Sequence, residues 1–308
     1  MVYGPKRICF VKNAKHKQNI IALVYDFDGT FSPHNVQEDT IFKAYGIDKD
    51  KFWAKTKRMV VRRGYEQTLA YLKLLIHEPC FEKRPLTRQG LCALADQIEY
   101  FPGVPEFFAV LDRFLKGVPE VSQWGITLEH YIVSRGIKEI LEACRIAKYF
   151  KKIYACEFDY ERGKPVFPKL VINDTNKTQF LFRIKKGKLE LNQDINSHTP
   201  EEKCRIPFRN MIYLGDGRTD IPSMTVTQKS GGHAIAVFPP GHRVSVTVAE
   251  MVREKRADHF APADFTEGKL LVRIIQSTIK KIVQEIAYHL SSRMSSDWID
   301  RKGPKGRK

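Results

Sequence analysis

The sequence predicts an α/β protein: a doubly wound, Rossmann-like parallel sheet with an inserted helical cap domain. Three observations carry that expectation. Short continuous apolar runs recur along the chain, helical periodicity fills the intervals between them, and acidic or hydroxyl residues stand where the runs end. Runs without polar alternation suit strands covered on both faces, as in a parallel sheet wound by helices. At 308 residues and 43% apolar content, the chain is long enough to bury a substantial core.

The runs are IIALVY (20–25), YIV (131–133), KIYACEF (152–158), MIYL (211–214) and HAIAVF (233–238). Between them, 104–116 and 136–149 place apolar residues three and four apart, the spacing of crossover helices. The stretch 35–100 has no strand pattern but several helical ones, such as YEQTLAYLKLLI and RQGLCALADQIEY, and it closes on FPGVP. It reads as a separate helical unit inserted after the first strand. Residues 263–296 form a second expected helix, with Leu270, Leu271, Ile274, Ile275, Ile279, Ile282, Val283, Ile286 and Leu290 on one face. The predicted organisation is therefore a basic segment at 1–19, an α/β core at 20–34 and 101–262, a helical cap at 35–100, an amphipathic helix at 263–296 and a basic, disordered stretch at 297–308.

Charge narrows the function classes. Lys and Arg number 52 against 35 Asp and Glu, a formal charge of +17, which points to an anionic substrate or a polyanionic partner. Residues 1–19 carry five Lys/Arg and no acid, and 301–308 carry five more with none. Most of the excess thus lies outside the expected core, and nucleic-acid binding through these segments is possible without being required. The internal cluster Lys51, Lys55, Lys57, Arg58, Arg62 and Arg63 reads as the solvated face of a helix. No apolar run approaches the roughly 18 residues needed to cross a bilayer, so no membrane association is expected. Six cysteines without CxxC or metal-ligand spacing suggest reduced thiols and a cytoplasmic compartment.

In a doubly wound sheet, ligands bind beyond the carboxyl ends of the strands. Asp26 and Asp28 follow the first run, Ser134 the second, and Asp216 with Asp220 follow MIYL. Gly29 permits a tight turn that returns Asp28 toward Asp26. Carboxylates crowded in this way repel one another unless a cation lies among them, and an all-oxygen set suits Mg²⁺. Taken singly, each aspartate could be a helix cap or turn residue.

Together, DFDGT, the apolar-then-serine pattern YIVS, the lysine opening a helix in NDTNKTQFLF, and YLGDGRTDIPSM resemble the haloacid dehalogenase-like hydrolases, in the branch similar to phosphoserine phosphatases. The resemblance covers 20–240 in the family's order and spacing, with the inserted unit where that family carries its cap. It implies a Mg²⁺-dependent phosphatase in which Asp26 is the nucleophile that forms an aspartyl-phosphate and Asp28 is the general acid and base. Asp216 and Asp220, with Asp26 and the backbone carbonyl of Asp28, would hold the metal. Ser134 would donate to a phosphoryl oxygen, and Lys177 would neutralise charge, in preference to Lys164 or Lys169. Arg135, Gly29 and Thr30 join Ser134 in the implied substrate-binding set. A small phosphorylated metabolite is the implied substrate.

Two alternatives stand beside this one. A phosphomutase shares the whole catalytic set, and an idle nucleic-acid- or anion-binding protein could use the same scaffold. A haloalkanoate dehalogenase needs neither the metal nor the GDxxxD acids that this chain has.

Overall fold

The computed structural model describes residues 17–244 and 246–302. Most of the basic 1–19 segment, Cys9 and residues 303–308 therefore lie outside the described residues.

Seven strands form a single sheet in the order β4-β3-β2-β1-β5-β6-β7. They are β1 (Ile20–Tyr25), β2 (Thr127–Ile137), β3 (Phe150–Glu161), β4 (Lys164–Leu170), β5 (Met211–Gly215), β6 (His233–Phe238) and β7 (His259–Pro262). All neighbours pair in parallel except β3 with β4. The chain moves outward from β1 through β2 and β3, then returns to the other side of β1 at β5. The order of winding therefore reverses between β1 and β5, the switch point at which such sheets bind ligands. Burial explains the sequence runs: every residue of β5, and all but the first of β1 and β6, is buried.

Between β1 and β2 lie α1 (Lys43–Tyr45), α2 (Lys49–Arg63), α3 (Gln67–His77), α4 (Pro79–Lys83) and α5 (Arg88–Ala93), preceded by a π-helical turn at Glu38–Phe42. Asp48 caps α2 by accepting from Lys51 N, and Gly64 ends it in the left-handed conformation. The helices that cover the sheet are α6 (Val104–Lys116), α7 (Pro119–Trp124), α8 (Lys138–Ala143), α9 (Lys177–Lys186), α10 (Ile221–Lys229), α11 (Val246–Arg253) and α12 (Leu270–Lys302). The helical unit rests on the core where α5 meets α8 and α3 meets β4.

Several elements differ from expectation. Ser134 does not follow β2 but lies within it, at a register shift between Val133 and Ile137. The helix expected over 136–149 is broken: α8 stops at Ala143, Cys144 is extended, and only a 3₁₀ turn follows at Ala147–Tyr149. That break lays the Tyr149 ring flat on Phe108, with centroids 4.4 Å apart. The stretch around Lys164 and Lys169, where no strand was expected, is the edge strand β4. Its prolines Pro165 and Pro168 are tolerated because an edge leaves backbone groups unpaired. Arg162 and Gly163, both at positive φ, make the two-residue turn that joins it to β3. The short strand β7 was not anticipated. Helix α12 starts later than 263 and runs through Lys302, so residues 297–302, expected to be disordered, are helical. No Gly or Pro interrupts 270–302, and Gly303-Pro304 comes only after it.

Candidate active site

The site forms where β1 and β5 end side by side. Asp26 N donates to Leu214 O at 2.9 Å, which extends the pairing of these strands by one residue and points Asp26 into the crevice. A tight turn follows, with Gly29 N donating to Ser32 O at 2.7 Å and Thr30 N to Phe27 O at 3.1 Å. Gly29 has a φ of 74°, and a Cβ there would overlap the Asp216 carboxylate. The glycine therefore serves both the turn and the close approach of Asp216.

Lys177 opens α9 and is fully buried. Its Nζ lies 2.8 Å from Asp26 Oδ2 and 2.8 Å from Asp220 Oδ1. Burial works against the ammonium charge, but Asp220 and Asp26 override it and hold the lysine above its ordinary range. Asp220 Oδ1 also accepts from Tyr213 Oη at 2.7 Å, while its Oδ2 is buried without a hydrogen-bond partner. Oxygens of Asp26, Asp216 and Asp220 lie within 4.8 Å of one another. Burial raises the Asp26 carboxyl to about 6, with Asp220 adding to the effect and Lys177 opposing it. Asp216 is raised well above the carboxylate range by burial, then by Asp220 and Asp26. One ammonium thus faces three carboxylates, those of Asp26 and Asp220 buried and that of Asp216 half-buried, and the set is short of positive charge. An all-oxygen donor set with an unpartnered buried oxygen fits a small divalent cation such as Mg²⁺.

The Asp28 side chain is outside that oxygen cluster. It faces the entrance to the helical unit, where Oδ1 accepts from Val36 N at 2.8 Å. Burial, then the Asp26 charge, raises its carboxyl to about 7. Arg135 lines the cleft and donates to Asp174 Oδ1 at 3.2 Å. Ser134 is fully buried below the cleft, its Oγ accepting from Gly136 N at 3.0 Å. Thr30 is buried in the turn as fully as Ser134 is in β2, and its Oγ1 has no hydrogen-bond partner among the described residues. Of the other candidate lysines, Lys169 pairs with Glu157 at 3.1 Å on β4 and Lys164 lies at the start of that strand, so neither joins the cluster.

Above these residues is a cleft of about 780 Å³. Asp26, Asp28, Gly29, Asp216 and Thr219 form its base, and Trp53, Lys57, Val60, Gln67 and Tyr71 of the helical unit form its roof. The Trp53 and Tyr71 rings pack together at 6.0 Å and also wall the cleft. Tyr71 Oη donates to the Arg135 carbonyl, joining roof to base. Sequence reasoning missed Tyr213 and its bond to Asp220. The signal was a phenol in a strand read as buried on both faces, where its hydroxyl must find a partner.

No protein-family model matches the chain. An uncharacterized protein of Borreliella burgdorferi is 29% identical over 287 residues, covering 85% of this chain and 98% of that protein. Among solved structures, an unliganded probable phosphoserine phosphatase from Vibrio cholerae superposes with a TM-score of 0.53 at 14% identity, over 89% of this chain and 69% of that one. A substrate-bound phosphoserine phosphatase gives a TM-score of 0.50 at 16% identity, over 83% of this chain and 97% of the other. With its sheet order, its helical unit inserted after β1 and this likeness, the chain has the fold of the haloacid dehalogenase-like hydrolases, in the form seen in phosphoserine phosphatases.

Proposed function

We propose that the protein is a phosphatase that hydrolyses a small phosphomonoester through an aspartyl-phosphate on Asp26. The observation that carries this reading is the buried Lys177 held 2.8 Å from both Asp26 and Asp220, with Asp28 beside them at the base of an open cleft.

Lys177 favours the anionic form of Asp26, and Phe27 N, donating to Asp26 Oδ1 at 2.8 Å, leaves Oδ2 on the lysine side. An Asp26 carboxylate oxygen attacks phosphorus as the bond to the ester oxygen breaks, and Asp28 gives its proton to that departing oxygen. The alcohol leaves. Asp28, now a carboxylate, takes a proton from water, whose oxygen attacks the same phosphorus and releases inorganic phosphate from Asp26. A carboxyl raised to about 7 suits this double duty, since its two protonation states are both accessible near neutral pH. Ser134 and Arg135, within β2 at its register shift, would donate hydrogen bonds to phosphoryl oxygens. Asp26, Asp216 and Asp220, with the backbone carbonyl of Asp28, would hold Mg²⁺, which when bound supplies positive charge beside the transferring group. The residues of the helical unit, Lys57 and Gln67 among them, would meet the rest of the substrate.

The test is hydrolysis of p-nitrophenyl phosphate with and without MgCl₂. Turnover in the native chain should need the ion, and Asp26→Asn should lower kcat by at least about 10³-fold while leaving the fold intact by circular dichroism. Equal rates in the native chain and the variant would remove the nucleophile from this account.

A further inference from the structure

Tyr213 stands in the middle of β5, paired with Val24 of β1 on one side and Ala234 of β6 on the other, and it is fully buried. An apolar side chain would meet every packing need at a strand position covered on both faces, so a hydroxyl there must have a partner. Side chains two apart along a strand share a face, which puts Tyr213 and Gly215 on the same side of the sheet. Both meet one carboxylate. Tyr213 Oη donates to Asp220 Oδ1 at 2.7 Å, and a Cβ on Gly215 would overlap Asp220 Oδ2.

Asp220 has no local use that would explain this arrangement. It stands at the N-cap of α10, yet its side chain makes no capping bond, and it is fully buried. Its two oxygens are treated unequally. Oδ1 takes two donors, Tyr213 Oη and, at 2.8 Å, Lys177 Nζ, while Oδ2 takes none. An ammonium alone does not impose such a division, because it is a compact charge with rotatable donors that attracts either oxygen. Lys177 is also committed to Asp26 Oδ2 at 2.8 Å, so a freely turning Asp220 could swing both oxygens toward it. The phenol is different. It is held by a strand, it donates once, and it donates from one direction.

Taking the ion to be held as proposed above, we infer that Tyr213 is a positioning residue for it: its hydroxyl locks the Asp220 carboxylate with one oxygen on Lys177 and the other reserved for the cation. Gly215 completes the device by leaving room for the reserved oxygen against the strand. Hydrogen bonds to metal-binding side chains of this kind typically govern metal affinity by about 10–100-fold.

Tyr213→Phe removes one hydrogen bond and keeps the ring. The experiment counts free Mn²⁺ by its EPR signal as the ion is titrated, without substrate, into the native chain, Tyr213→Phe, Asp220→Asn and the double variant, each checked for folding by circular dichroism. Tyr213→Phe should raise the Kd at least about tenfold. In the Asp220→Asn background the same change should have no further effect, because the phenol acts only through that carboxylate. A side chain that served packing alone would lower the urea midpoint and leave the Kd where it was. An unchanged Kd in Tyr213→Phe, or a loss that persists in full in the Asp220→Asn background, would overturn the role of Tyr213 and leave the ion site standing. No Mn²⁺ bound by the native chain, or binding that survives in Asp216→Asn, would overturn the ion site itself and this inference with it.

Discussion

At the scale of single residues, the site depends on one backbone position as much as on its acids. Gly29 sits at a φ of 74°, where the Asp216 carboxylate leaves no room for a Cβ. Gly29→Ala would face about 1–2 kcal/mol of left-handed strain, and the added methyl would push Asp216 aside. A displacement of about 1 Å at a reacting centre can cost about 10²-fold in rate, so turnover of p-nitrophenyl phosphate should fall by that order, together with the melting temperature. Normal turnover in this variant would show that Asp216 does not need its present position. The aspartates themselves were legible in the sequence, because acids two apart after a buried strand have few structural uses. Tyr213 was not, because an apolar run hides which of its side chains ends in a hydroxyl that meets Asp220.

Among elements, the join between helical unit and core centres on Asp39 in the π-helical turn Glu38–Phe42, which is 1% exposed. Its carboxylate meets His34 Nδ1 at 3.0 Å and Lys43 Nζ at 3.2 Å, and accepts from Glu99 N at 3.2 Å. Lys43 in turn reaches Glu99 at 2.7 Å. One buried acid thus ties the segment that enters the helical unit to the one that leaves it. Asp39→Ala should cost about 2 kcal/mol in urea unfolding, mainly because Glu99 N and its neighbours lose a buried acceptor. It should also raise KM, since Trp53 and Tyr71 roof the cleft from the same unit. An unchanged midpoint and KM would refute the tie. None of this was readable in advance, because His34, Asp39 and Glu99 look like ordinary polar residues until the two linkers are set side by side. The hairpin strand β4 was overlooked for a different reason: its prolines and charges are tolerated only at an edge, and edge position is a property of the finished sheet.

Whole-molecule stability should report the state of the acid cluster. Asp26 and Asp28 titrate higher in the folded chain, at about 6 and about 7, than in the unfolded one. Groups raised in this way contribute stability that is complete below the unfolded carboxylate value of about 3.9 and is lost as pH rises through about 6 to 7. Asp258 acts in the opposite sense but elsewhere. Burial opposes its charge, yet hydrogen bonds from His233, Ala234 N and Gln228 hold it at about 2, so its contribution disappears only in strong acid. A divalent ion must displace the protons of the cluster before it can bind, so it stabilises little when they are present. The rise in melting temperature on adding MgCl₂ should therefore be small near pH 5, larger near pH 8, and absent in Asp216→Asn. The same rise at both pH values would separate ion binding from these carboxylates.

The sequence alone determined the class of sheet, the inserted helical unit and the identity of the acids, because periodicity and strand-end position are local properties that survive without coordinates. Tertiary structure decided what depends on contact across the chain. It put Lys177 between Asp26 and Asp220, sealed Thr30 inside its turn, carried α12 through Lys302, and brought Lys17 beside Arg293 at the end of the sheet away from the cleft. A side chain's charge and reach are written in its residue type, but what it pairs with depends on which distant segment the packed core sets against it.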